Sequence, residues 1–91
     1  MPARRLVISG RVQGVFYRAW TETNARALGL TGWVRNRADG SVEILAQGSE
    51  EAIDALVRRC WEGPSRAQVD KINVSNTEEE PATAFTVRGR D

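Results

Sequence analysis

The sequence contains no histidine, one cysteine (Cys60) and one lysine (Lys71). Each shortage narrows what the chain can do. Without histidine there is no side chain whose ordinary pKa lies near neutrality, so the commonest general base and the commonest metal ligand are both missing. A lone cysteine forms no intramolecular disulfide and builds no thiolate metal centre. That points to a reducing compartment, with the cytoplasm expected, and away from bound zinc or iron. Long apolar runs are absent too. The longest aliphatic stretch is Leu6-Val7-Ile8, too short for a signal-peptide core or a membrane span. Any chemistry must therefore rest on arginine, carboxylates, amides, hydroxyls and the backbone, and no metal or other cofactor is expected.

What is present is ordinary for a globular protein. The chain has 91 residues, 41% hydrophobic and 27% charged, which suits one compact domain spanning residues 1–91. Thirteen Lys+Arg against twelve Asp+Glu leave a net charge of +1, which argues against a general nucleic-acid or membrane-surface binder. A local cationic site is still open, because the basic residues are almost all arginines, whose planar fork of donors suits carboxylate or phosphate. No second apolar face shows, so a monomer is expected.

Residues Arg4 to Val12 alternate, with Leu6, Ile8 and Val12 on one side, the period of a strand. Trp20 to Leu28 lacks a β-branched cluster and meets Gly29 as a left-handed stop, which predicts a helix. Gly32–Arg37 and Ser41–Ala46 flank Asp39-Gly40, a dipeptide tolerant of positive φ, and form a hairpin. Ser49 is an N-cap and Glu50 and Glu51 suit the first turn of a second helix. In that helix Ile53, Leu56, Val57, Cys60 and Trp61 make an apolar stripe, and Gly63-Pro64 ends it. Ala67–Val74 and Ala84–Arg88 supply further strands, separated by the polar run Ser75–Pro81. Its three glutamates, Glu78 to Glu80, predict a solvated loop. The order is β-α-β-β-α-β plus a short extra strand. That is the α+β, ferredoxin-like split βαβ pattern, with two helices packed on one face of a mainly antiparallel sheet.

The segment GRVQGVFYR, Gly10 to Arg18, leaves the first strand and enters the first helix. A loop at a helix N-terminus points several N–H groups at one spot and so offers an anion a seat. Gly14 lies mid-loop, where positive φ costs glycine little. Gln13 to Tyr17 is able to form a concave nest of amides, and Arg18 closes it with a guanidinium that fits phosphate through two parallel hydrogen bonds. Val15, Phe16 and Tyr17 are expected to be loop anchors and core. The spacing is neither a Walker loop nor a dinucleotide fingerprint, so on its own it leaves a plain structural turn open. Asn36, in GWVRN ahead of Asp39-Gly40, is by itself equally a turn or capping residue.

Taken together, GRVQGVFYR and GLTGWVRNRADGSVEI closely resemble the acylphosphatase family. The likeness extends to GSEEAIDALV, to a Pro-Ser-x-Ala segment and to a Phe-x-Val-Arg ending, and so covers nearly the whole chain. The resemblance implies hydrolysis of the carboxyl-phosphate anhydride of acyl phosphates to a carboxylate and inorganic phosphate. It implies that Arg18 binds the phosphate together with the backbone amides of Val12, Gln13, Gly14, Val15, Phe16, Tyr17 and Arg18. It also implies that Asn36 orients the attacking water, and that inorganic phosphate is product and competitive inhibitor.

The missing histidine fits that reaction. A carboxylate leaving group has a conjugate acid of pKa roughly 4–5 and leaves unprotonated, whereas a phosphate monoester would call for a general acid. The competing class is a non-catalytic ferredoxin-like module that senses phosphate or acyl phosphate, or binds RNA. The RNA form needs exposed sheet aromatics in an RNP-type string, and none is present. Trp33, Phe85 and Trp61 are expected in the core. Cys60 is expected to be an inert core thiol. Arg35, Arg37, Arg88 and Arg90 are expected to face solvent as a rim without assigned function.

Overall fold

The computed structural model describes residues 2–89. Seven elements follow in the expected order: β1 (Ala3–Arg11), α1 (Tyr17–Ala27), β2 (Thr31–Asn36), β3 (Val42–Gln47), α2 (Glu50–Glu62), β4 (Gln68–Asn76) and β5 (Phe85–Val87). The sheet runs β4-β1-β3-β2-β5, antiparallel except for the β2–β5 pair.

Strand β3 lies at the centre, and every one of its residues is buried. Because side chains alternate along a strand, it divides the molecule. Val42, Ile44 and Ala46 face the helices, where they meet Leu6 and Ile8 of β1, Tyr17 and Ala25 of α1, and Ile53, Leu56 and Cys60 of α2. Glu43, Leu45 and Gln47 face the other way. There the Glu43 carboxylate is gripped by Arg5 Nε at 2.9 Å and Arg35 Nη2 at 2.7 Å.

Helix α2 obeys its local signals. Ser49 Oγ accepts from the Ala52 amide at 3.1 Å, and Glu50 and Glu51 occupy the first turn. One expectation fails: Trp61 is not core but 50% exposed. At about 100° per residue it lies roughly 100° round the helix from the line through Ile53, Leu56 and Cys60, so it leaves the buried stripe while Val57 stays half-buried. Trp33 and Phe85 are buried as expected.

Strand β4 runs past its expected end, with Ser75 and Asn76 paired to Arg5 and Arg4, so these two residues belong to the ladder rather than to a loop. β4 and β5 occupy opposite edges of the sheet, which obliges the chain between them to cross it. It does so on the helix-free side. Arg5 Nη2 holds Glu79 at 2.9 Å, Gln47 Nε2 donates to the Glu80 carbonyl at 3.0 Å, and the Ala82 amide donates to Gln47 Oε1 at 2.9 Å. Glu78 to Glu80 are exposed, as expected of a solvated loop, and the run is at the same time tied to the sheet, since a buried Gln47 carboxamide requires partners.

In the expected rim Arg88 is exposed and Arg35 and Arg37 are half-buried, and two of the three also pack. The Arg35 and Arg88 guanidinium groups lie 5.1 and 4.6 Å from the Trp33 ring centroid, where they cover the indole by cation–π contact. Arg37 sits at the hairpin, 3.9 Å from Asp39, and Arg90 lies outside the described residues.

Candidate active site

Strands β1 and β2 both pair antiparallel to β3, and β5 is parallel to β2. The C-terminal ends of these three strands therefore open on one edge of the sheet. The loop that follows β1 and the start of α1 sit there.

In that loop Gly14 has φ 74° and Phe16 φ 64°. Left-handed residues so close together curl a main chain and turn its amides inward. The conformation costs a non-glycine residue about 1–2 kcal/mol, so Phe16 carries real backbone strain. Among the described residues, the amides of Gln13 through Arg18 have no protein acceptor. The start of α1 differs from that of α2 in every respect. Its N-cap, Phe16, makes no side-chain cap, its first turn holds no acidic residue, and Arg18 stands near the positive end of the helix dipole. Local rules broken together at one place mark a candidate site.

This start explains why α1 begins at Tyr17 rather than near Trp20: no capping signal announces it. It also corrects the expectation for Phe16. Val15 and Tyr17 are buried anchors, but Phe16 is 80% exposed, its left-handed backbone turning its side chain outward between two inward neighbours. The Tyr17 hydroxyl donates to the Cys60 carbonyl at 2.6 Å and pins the start of α1 to α2. Burial pushes that hydroxyl well above its ordinary pKa and, in the same way, pushes the Cys60 thiol up to about 12.

Two contacts hold the halves of the site in register. Gln13 Nε2 donates to the carbonyls of Arg37 at 2.8 Å and Ser41 at 2.9 Å, which ties the loop to the hairpin next to Asn36. Arg18 Nη1 donates to the Arg88 carbonyl at 2.9 Å, which uses one of the guanidinium's five N–H donors. The hairpin is itself stiffened by Asp39. Its Oδ1 accepts from the Ser41 amide at 2.9 Å and from the Ser41 hydroxyl, bonds that hold its carboxyl below the usual range.

Arg18 and Asn36 line one cleft of about 380 Å³ with Val12, Gly14 and Tyr17. Phe16, Ala19 and Val87 complete its wall. The Asn36 carboxamide has no hydrogen-bond partner among the described residues. Gln13 and Val15 are not in the wall: the first reaches the hairpin and the second packs into the core. The side-chain role of Gln13 and the carbonyl of Arg88 were beyond sequence reasoning, since neither contact leaves a signature in residue type.

The sequence model of the acylphosphatase family matches residues 4–87. The chain belongs to the acylphosphatase family. An acylphosphatase of Rhizorhabdus wittichii is 49% identical over 84 residues, which cover 92% of this chain and 85% of that protein. One from Marinobacter nauticus is 56% identical over 78 residues, covering 86% and 82%. The crystal structure of acylphosphatase from Bacillus subtilis superposes with a TM-score of 0.93 at 37% identity, over 97% of this chain and 99% of that one. As a member of the acylphosphatase family the chain is a hydrolase whose substrates are small-molecule acyl phosphates. These likenesses do not favour a non-catalytic module. Among the described residues no helix is long and apolar enough to cross a membrane.

Proposed function

We propose that the loop amides from Val12 to Arg18 and the Arg18 guanidinium hold the phosphoryl group, while Asn36 aims the attacking water at phosphorus. One observation carries this reading. The two side chains that chemistry requires share a cleft bordered by a loop whose amides from Gln13 to Arg18 have no protein acceptor among the described residues.

In phosphoryl transfer negative charge spreads over the equatorial oxygens, so fixed N–H dipoles and one guanidinium supply most of the stabilisation. Asn36 is neutral and cannot serve as a strong base. Its carbonyl oxygen accepts a hydrogen bond from water and its NH₂ donates to a phosphate oxygen. The water's proton passes to the substrate's own phosphate, and the carboxylate leaves unprotonated. No step in this sequence calls for a metal or a histidine. Inorganic phosphate, the product, competes for the same donors. The 91 residues act as a single monomeric unit in the cytoplasm.

The test is hydrolysis of benzoyl phosphate in EDTA, with p-nitrophenyl phosphate for comparison and Arg18→Lys as control. Rapid turnover of the anhydride alone, lost in Arg18→Lys, is the expected result. Equal turnover of both substrates, or turnover that EDTA abolishes, would refute it.

A further inference from the structure

The cleft is larger than its phosphate-binding role needs. A phosphoryl group displaces on the order of two or three waters of about 30 Å³ each, against a cleft of about 380 Å³. The remaining volume is apolar. Four large hydrophobic side chains are exposed on the described surface, and two of them, Phe16 (80%) and Val87 (41%), line this cleft. They come from different elements, the N-cap of α1 and the end of β5. Phe16 holds its place at the cost of a left-handed backbone. Among the described residues Arg18 is the only charged side chain in the wall, so none of them offers a second cation to another anionic group on the substrate.

We infer that Phe16 and Val87 form a subsite for the acyl group, selecting acyl phosphates whose acyl part is apolar, aliphatic or aromatic, over acetyl and dicarboxylic ones. This rests on the reaction proposed above and names its substrate class. The acyl carbon is bonded to the phosphate through one bridging oxygen, so an acyl chain bound to a phosphate at Arg18 must extend along the same cleft. There it removes apolar surface of both partners from water. Full burial is worth about fourfold in kcat/KM per methylene. An open subsite gives less, about twofold.

The test compares kcat/KM for acetyl, butyryl, hexanoyl, benzoyl and succinyl phosphates in the parent, Phe16→Ala, Phe16→Gly and Val87→Thr. Intrinsic reactivities of the anhydrides cancel when each variant's ratios to acetyl phosphate are compared with the parent's. The hexanoyl-to-acetyl and benzoyl-to-acetyl ratios are expected to fall at least fivefold in the Phe16 variants and about threefold in Val87→Thr. Phe16→Gly relieves the backbone strain and Val87→Thr keeps the β-branched shape, so a general loss of fold is separable from a loss of selectivity. Ratios equal to the parent's in all three variants, or succinyl phosphate as the parent's best substrate, would overturn the subsite. A parent that hydrolyses none of the five would instead overturn the reaction itself.

Discussion

Arg18 Nη1 lies 2.9 Å from the carbonyl oxygen of Arg88, so the proposed phosphate-binding side chain is held by the segment that follows the last strand. Arg88 is in turn fixed twice. Its amide donates to the Val34 carbonyl at 2.8 Å, and its guanidinium lies over Trp33. Ending the chain at Val87 removes that carbonyl and is expected to lower kcat/KM for benzoyl phosphate at least tenfold. Arg88→Ala keeps the carbonyl and is expected to cost less than threefold. Steady-state kinetics on the two proteins checks this, and equal losses would show that the side chain, not the carbonyl, positions Arg18.

Arg18→Lys keeps a charge but loses the fork. By the measure of one preorganised donor, kcat should fall about 10²–10³-fold, or roughly 3–4 kcal/mol. Rates for Arg18→Lys within tenfold of the parent would remove Arg18 from its role.

Asn36→Ala separates orientation from binding. Its kcat for benzoyl phosphate should fall at least 10²-fold while the inhibition constant of inorganic phosphate stays within threefold. If Asn36→Ala turned over at the parental rate, water positioning would belong to another group.

Gln13→Glu replaces a double donor, 2.8 and 2.9 Å from two carbonyl oxygens, with an acceptor that repels both. Near neutral pH its kcat should be at least tenfold below the parent's. Activity should recover as the pH falls and the new carboxyl gains a proton to donate. A flat ratio of variant to parent rates between pH 4 and pH 8, scales set by ordinary carboxyl titration, would show that the tie between loop and hairpin does not matter.

Burial raises the Cys60 thiol from an ordinary 9.0 to about 12 in the folded chain. The unfolded chain ionises first, so the stability contributed by the protonated thiol is complete below pH 9 and is lost as pH climbs from there towards 12. The slope for this one group is at most about 1.4 kcal/mol per pH unit. Urea midpoints at pH 8 and pH 10 for the parent and Cys60→Ala measure it, and an identical pH dependence in both proteins would exclude the thiol. Native protein at pH 8 should also leave Cys60 unlabelled by a thiol reagent until urea is added.

The parts legible from residues alone were those in which local chemistry and tertiary structure agree. The Ser49 cap, the Ile53–Leu56–Cys60 stripe and the Asp39-Gly40 turn each carry their own signal, and each appears in place. Trp61 misled because a stripe extended by spacing drifts off the buried face. Phe16 misled because hydrophobicity suggests the core, whereas a left-handed backbone decides where the side chain points. The crossing of the sheet by residues 77–84 and its anchors on Arg5 and Gln47 follow from strand order, which no local pattern encodes. The paired motifs singled out Arg18 and Asn36, which share a cleft, but the Gln13 and Arg88 contacts around them join distant backbone carbonyls.

Helix α1 begins without a cap, without an acidic first turn and with an arginine against its dipole. An anion bound at the loop amides would supply what the helix lacks, completing the secondary structure that binds it. Substrate and product then act as folding ligands, and Tm should climb with phosphate concentration according to mass action. In the resting molecule the uncapped end of α1 should be the first part of that helix to exchange its amide hydrogens with solvent.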